Sequence, residues 1–262
     1  MATKLKQDPI LASDISEFMQ SQDDFALELR VVKYARELQY QASHSGSYED
    51  PVTGKARQYD LRADFSKRNC LVRLAIECKS LQNYFPLVVS HTPRRKEESY
   101  HELIESLPNH IPADKVKRKG GLYQVGDPVG RATAQVGKSS STDAWVSTDA
   151  DTHEKWSQAL ASADGLVKKS PLGSVPQRHA TVILPVLVVS DGALWSIGYD
   201  DDGLQIQQPV LVDQTEMYVG RPYMMDNRAY RISHLHICTE MGVRNLLASI
   251  ATDDGWWDRV FD

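Results

Sequence analysis

Only three cysteines occur in 262 residues, at Cys70, Cys78 and Cys238. An odd number so widely spaced excludes a disulfide framework and points to a reducing compartment. Long apolar runs are equally scarce. The longest, Ala180 to Val189, is interrupted by Pro185 and falls short of the roughly 20 residues a membrane-spanning helix needs. The opening residues, MATKLKQDPILASD, lack the apolar stretch of a secretion signal. These deficits set the expectation of a cytoplasmic protein with no membrane partner. There is no Gly-x-x-x-x-Gly-Lys-Ser/Thr, so Gly120-Gly121 and the stretch from Gly126 to Gly130 do not make a phosphate loop of that kind. A basic excess is missing too: 30 Lys and Arg face 35 Asp and Glu, a net charge of −5.

What is present is the balance of a folded globular chain, 41% apolar and 25% charged, long enough to bury a core without staples. The acidity is local. From Asp200 onward there are 11 acidic and 5 basic residues, which leaves 24 acidic and 25 basic before it. The first three-quarters are therefore neutral enough to carry a local basic groove.

Pattern and turn chemistry divide the chain into a polar lead-in over 1–22 with a short helix, a core over 23–199, and an acidic, β-rich C-terminal extension of the same domain over 200–262. Asp23 and Asp24 supply N-cap chemistry for a helix reaching Tyr40. Strand-like runs follow at Tyr40–Ser47, Arg57–Asp64, Leu71–Cys78 and Phe85–Ser90, the first two joined by a turn over Glu49–Lys55 that contains Pro51 and Gly54. A long insertion at about 91–150 is the least regular part, expected to hold helical pieces, one near 97–107, and mobile loops. A helix is predicted from Thr152 to Lys168 on the spacing of Trp156, Leu160 and Ala163. Thr181–Val189 and Leu194–Tyr199 flank Asp191-Gly192 and read as a hairpin. Strands near 204–212 and 231–238 and a helix from Glu240 to Ala251, capped by Thr239, complete the chain. The order helix, three strands, helical crossover, strand points to a mixed α/β sheet flanked by helices.

Three anomalies carry chemistry. On the third strand, period 2 puts Glu77 and Lys79 on one face and Leu74, Ile76 and Cys78 on the other. Charges in a sheet core persist when paired or bound to metal; the plain alternative is that Glu77 and Lys79 pair with each other. On the second strand Asp60 lies opposite the apolar face of Tyr59, Leu61 and Ala63. If the two strands pair, Asp60 comes across from Glu77, and two carboxylates that close favour a hard divalent ion between them. On the first helix Glu28 falls within the apolar arc of Phe25, Leu27, Leu29, Val31, Val32 and Ala35, as a structural acceptor or a metal ligand.

The passages Phe25-Ala26-Leu27-Glu28, Tyr48 through Arg57-Gln58-Tyr59-Asp60, and Leu74-Ala75-Ile76-Glu77-Cys78-Lys79 resemble the PD-(D/E)xK, restriction-endonuclease-like nuclease superfamily, closest to Mrr-like and uncharacterised bacterial members. The similarity covers about 23–90, with Gln58 standing where members of this type often carry an acid. The resemblance implies a restriction-endonuclease-like core and a Mg²⁺-dependent endonuclease acting on duplex or single-stranded DNA, with Mn²⁺ as a substitute. It implies Asp60, Glu77 and the backbone carbonyl of Cys78 as metal ligands, Glu28 as a further acid, and Lys79 as the group that orients water. A role in defence against foreign DNA and a homodimer or recruiting partner belong to the same expectation. The rival reading is an inactive nuclease-fold module that binds nucleic acid or a partner.

Two basic clusters, Arg94-Arg95-Lys96 and Lys115, Lys117, Arg118 and Lys119, are candidates for phosphate contact, with a solvated loop as the plain alternative. His234 and His236 alternate on a strand without nearby ligands and read as structural. Cys78 reads as packing. Trp256 and Trp257 anchor either the tail or a partner surface.

Overall fold

The computed structural model describes residues 8–22, 24–51, 53–108, 114–148, 150–173, 175–225 and 228–262. The expected cap at Asp23 lies outside the described residues. Asp24 is helical, within α2 (Asp24–Glu37), which follows α1 (Ala12–Gln22). Leu27, Glu28, Val31, Val32 and Ala35 are the buried face of α2, a helical spacing; Phe25 and Leu29, placed by sequence in the same arc, are exposed.

The strand expected at Tyr40–Ser47 divides into β1 (Gln41–His44) and β2 (Ser47–Glu49), and its successor into β3 (Ala56–Gln58) and β4 (Leu61–Lys67). β2 and β3 form a separate hairpin whose turn is built on Asp50: its carboxylate accepts from the Thr53 amide, and Gly54 adopts φ +67°. β1 and β5 (Cys70–Lys79) pair with β4 antiparallel, Leu61 lying opposite Ile76.

The strand expected at Phe85–Ser90 forms as β6 (Leu87–Pro93), while the region expected to be irregular and partly helical, about 91–150, is instead β-structure: β7 (His101–Ser106), β8 (Asp114–Lys119), β9 (Pro128–Lys138) and β10 (Trp145–Thr148), with one 3-10 turn at Lys96–Glu98. The helix expected near 97–107 is β7, whose six residues are all buried, Glu102 and Glu105 among them. Charged residues on this strand hide the strand period, because ion pairs to β8 and to Arg178 compensate them.

α3 (Ala150–Lys168) returns the chain to β11 (His179–Val189), which runs parallel to β5 from Ala180↔Cys70 to Val189↔Lys79. The hairpin expected around Asp191-Gly192 does not form. β11 is enclosed by β5 and β15 (Arg228–Thr239), both parallel to it, while β12 (Leu194–Tyr199) crosses to pair with β6 and β13 (Gln205–Leu211). β14 (Gln214–Met225) lies antiparallel to β15. The order β1-β4-β5-β11-β15-β14-β9-β6-β12-β13 makes one large mixed sheet of an α/β protein.

α4 (Glu240–Thr252), whose Thr239 hydroxyl accepts from the Gly242 amide, and α5 (Asp254–Phe261) join α2 over one face of β4, β5 and β11. Trp257 packs on Phe65 and donates its indole N–H to the Ile250 carbonyl, so this part of the chain is core rather than appendage. α3 covers the opposite face of β5 and β11, through Leu160, Ala163 and Leu166 against Ala75 and Ile183. No described helix is long and apolar enough to cross a membrane.

Candidate active site

Register alone brings the two acids together. Continuing the β4–β5 ladder one step past Leu61↔Ile76 places Asp60 across from Glu77, where the chain bends between β3 and β4. Asp60 is fixed by its neighbours: its carbonyl accepts from the Ser45 amide and its Oδ2 from the Cys78 amide at 2.8 Å. The strand-two face departs from expectation at Tyr59, which turns to the α3 side, packs with Tyr48 and Ala161, and lies under the Arg62 guanidinium at 4.3 Å.

Glu77 is 0% exposed, and neither carboxylate oxygen has a hydrogen-bond partner among the described residues. Burial, followed by the charge of Asp60, pushes its pKa up to about 9. A carboxylate buried without hydrogen bonds costs several kcal/mol if ionised, so Glu77 is either protonated or compensated by a cation.

One compensating cation is Lys155, from the second turn of α3. Its Nζ sits 3.1 Å from Asp60 Oδ2 and 4.0 Å from Glu77 Oε2. Burial opposes its charge, but Asp60 and then Glu77 outweigh burial and raise its pKa. Sequence reasoning missed Lys155. The signal was available: at 100° per residue it shares the sheet-facing stripe with Ala159 and Ser162, the kind of misplaced charge that singled out Glu28.

Lys79 projects elsewhere. Its Nζ lies 3.3 Å from Asp24 Oδ2, while Asp24 Oδ1 accepts from the Ser80 amide at 2.6 Å. The two side chains thus tie the end of β5 to the start of α2, and Lys79 does not pair with Glu77. It also lines a cleft of about 280 Å³ with Ser80, Tyr84, Phe85 and Lys138. Glu28 is buried on α2 and accepts from or donates to His44 Nε2 at 2.8 Å. Burial first, then Asp60, raises its pKa against the opposing pull of His44. His44, on β1, is the second member that sequence reasoning passed over.

The result is a row of charges, His44–Glu28, Asp60, Lys155 and Glu77, where β1, β4, β5, α2 and α3 converge. The chemistry of the two adjacent acids suits a hard cation, and the partnerless oxygens of Glu77 are available to one. Even so, no group of three or more His, Cys, Asp or Glu side chains is drawn together tightly enough to hold a metal among the described residues. Cys78 is fully buried in the core facing α2, where burial drives its thiol pKa well up, consistent with packing.

The basic clusters lie apart from this row. Arg94 is buried, with its guanidinium 2.5 Å from Glu216, which withdraws it from phosphate contact. Arg95 is exposed beside Asp201, and Lys96 is exposed in the 3-10 turn. On β8, Lys115 is exposed, Lys117 pairs with Glu105, Arg118 with Glu102, and Lys119 donates to the Asp262 carbonyl. His234 and His236 are buried beside Tyr123, whose hydroxyl bonds His236 Nε2 at 2.9 Å. Comparison with protein-family models, curated proteins and solved structures gave no match.

Proposed function

We propose that the protein is a metal-dependent phosphodiesterase with a restriction-endonuclease-like core, cutting DNA at the Asp60–Glu77 pair. The observation that carries the reading is the buried carboxylate of Glu77, without a hydrogen bond among the described residues, set across the hairpin from Asp60. The order α2, β1, β4, β5, crossover with α3, and parallel β11 supports it.

Asp60 and Glu77, with the Cys78 carbonyl, are the groups that would hold Mg²⁺. A bound Mg²⁺ supplies charge for the phosphate and a more acidic water. The chain's own residues do the positioning. The Cys78 amide orients Asp60, and Lys155 offsets negative charge between the acids, as the resemblance expects of Lys79. Lys79, at the cleft rim and tethered to Asp24, is placed to meet the substrate backbone rather than the carboxylates. Glu28, held by His44, sits close enough to Asp60 to feel its charge and so adjusts the field at the pair.

The test is cleavage of plasmid and linear DNA with Mg²⁺, with Mn²⁺ and with EDTA, by the wild type and by Asp60→Asn, Glu77→Gln, Lys155→Ala and Lys79→Ala. Activity should require the metal, be lost in the two acid variants, fall at least about 100-fold in Lys155→Ala, as expected for loss of a charge that stabilises the transition state, and fall less in Lys79→Ala. Metal-independent cutting, or full activity in Glu77→Gln, refutes the reading. The inactive binding module is favoured by one feature, the Lys155 ammonium already seated between the acids. That reading requires DNA retention with no cleavage under any metal.

A further inference from the structure

A second concavity, of about 590 Å³, lies between α3, β9 and β14. Its α3 wall is His153, Trp156 and Leu160, with Trp156 about 100° around the helix from Lys155. Among the described residues no Asp or Glu lines it, in a chain with more acids than bases.

Of its two arginines one is spent and one is not. Arg131 is held in place by Glu98 at 2.7 and 2.8 Å and by Thr92. Arg221 has no carboxylate partner among the described residues and rests over the Tyr223 ring at 5.6 Å. The indole N–H of Trp156 is buried with no hydrogen-bond partner, and His153 packs edge-on against that ring at 4.4 Å.

The third wall is a β-bulge. The β14–β15 register slips between Tyr218↔His234 and Arg221↔Ile232, so Val219 and Gly220 oppose Ser233 alone. Gly220 takes φ +52°, and a Cβ there would come within 2.9 Å of the Tyr218 hydroxyl. Such bulges re-aim side chains, and the Gly220 carbonyl freed from the ladder accepts from the Arg231 guanidinium at 3.3 Å.

Aromatic walls, a guanidinium with no carboxylate partner and a lining without acids among the described residues match a ligand with both a flat ring and an anion. We propose that this cleft binds a nucleoside phosphate, with the base against Trp156 and Tyr218 and the phosphate at Arg221. A free nucleotide and the phosphorylated end of a strand share that chemistry, since every base offers a face that stacks on such residues.

Calorimetric titration of the full chain in EDTA tests this without any dependence on cleavage. The probes are AMP, GMP, adenosine, inorganic phosphate, and oligothymidylate with a 5′-phosphate or a 5′-hydroxyl. Saturable 1:1 binding of the mononucleotides, weakened at least tenfold in Arg221→Ala and in Trp156→Phe, supports a free nucleotide. Binding of the 5′-phosphate oligonucleotide alone, with the same loss in both variants, supports a strand end. If Trp156→Phe does not fold, Arg221→Glu at the cleft rim carries the same test. Phosphate binding as tightly as AMP, affinity unchanged by Arg221→Ala, or no binding of any probe overturns the proposal.

Discussion

Glu77 is the residue on which most depends, and its protonation gives a stability signature separate from activity. Its folded pKa, about 9, lies above the ordinary value of 4.5, so between these limits the folded state holds a proton that the unfolded state has released. Stability therefore falls as pH rises through this window. In Glu77→Gln that loss disappears, and thermal melts at pH 8.5 should favour the variant by about 1–3 kcal/mol, the scale of an unsatisfied buried polar group. Bound Mg²⁺ should raise the wild-type melting temperature at that pH and leave Glu77→Gln unmoved. A wild-type profile flat from pH 5 to 9 sinks this account. Lys155 makes the complementary case: Lys155→Met strips the Asp60 carboxylate of its cation beside a Glu77 that is protonated at pH 7, and should cost about 2–3 kcal/mol there, less than breaking a fully buried pair would. Adding Mg²⁺ should restore part of that stability, whereas a loss independent of Mg²⁺ would show that the lysine matters only as packing.

At the scale of elements, the readable parts were those whose pattern is set locally. β5 announces itself by alternation, α3 by the spacing of Trp156, Leu160 and Ala163, and α4 by the Thr239 cap. The Asp60–Glu77 meeting was readable because an antiparallel neighbour fixes its own register. What failed was non-local. Asp191-Gly192 resembles a hairpin turn, yet β11 is satisfied by parallel neighbours on both edges, and β12 finds its partner in β6, more than 100 residues earlier. β7 concealed its strand character behind buried glutamates whose partners lie on β8 and at Arg178. Lys155 was passed over because its target is on another element, and Lys79 finds its partner in Asp24 for the same reason. One contact between elements tests the docking of α4. A Cβ on Gly242 would meet the Asp213 carbonyl oxygen at 1.8 Å, and that same oxygen accepts from the Thr239 amide. Gly242→Ala should therefore destabilise by about 1–3 kcal/mol through overpacking, despite alanine's better helix propensity. A stabilised variant in urea unfolding would mean that α4 is free to shift away from the 212–213 segment.

Across the whole molecule, the buried histidines set the acid limit just as Glu77 sets the alkaline one. His91, His101, His234 and His236 line a polar interior beneath β6, β7 and β15, with His234 and His236 close to Tyr123, Arg94 and Glu216. Burial lowers the pKa of all four; at His234 the positive charge of Arg94 adds to burial and brings it down to about 2. The folded state therefore keeps these rings neutral, while the unfolded chain takes up protons near pH 6.5. Stability is present above pH 6.5 and is lost as pH falls below it, by about 2 kcal/mol at pH 5 for His234, whose folded pKa lies far below that pH. The other three act in the same direction against a domain's whole stability of about 5–15 kcal/mol, so the acid limb should open as the histidines take up protons. Glu77 works in the opposite direction over the same range, which narrows the optimum to near neutrality. His234→Gln removes one proton site without adding charge, and should move the acid midpoint downward while leaving the alkaline limb in place. Circular dichroism followed from pH 8 to pH 3 decides the matter: a wild type that stays folded at pH 4, or a His234→Gln midpoint that does not move, means that the histidine interior admits protons or water and does not govern acid stability.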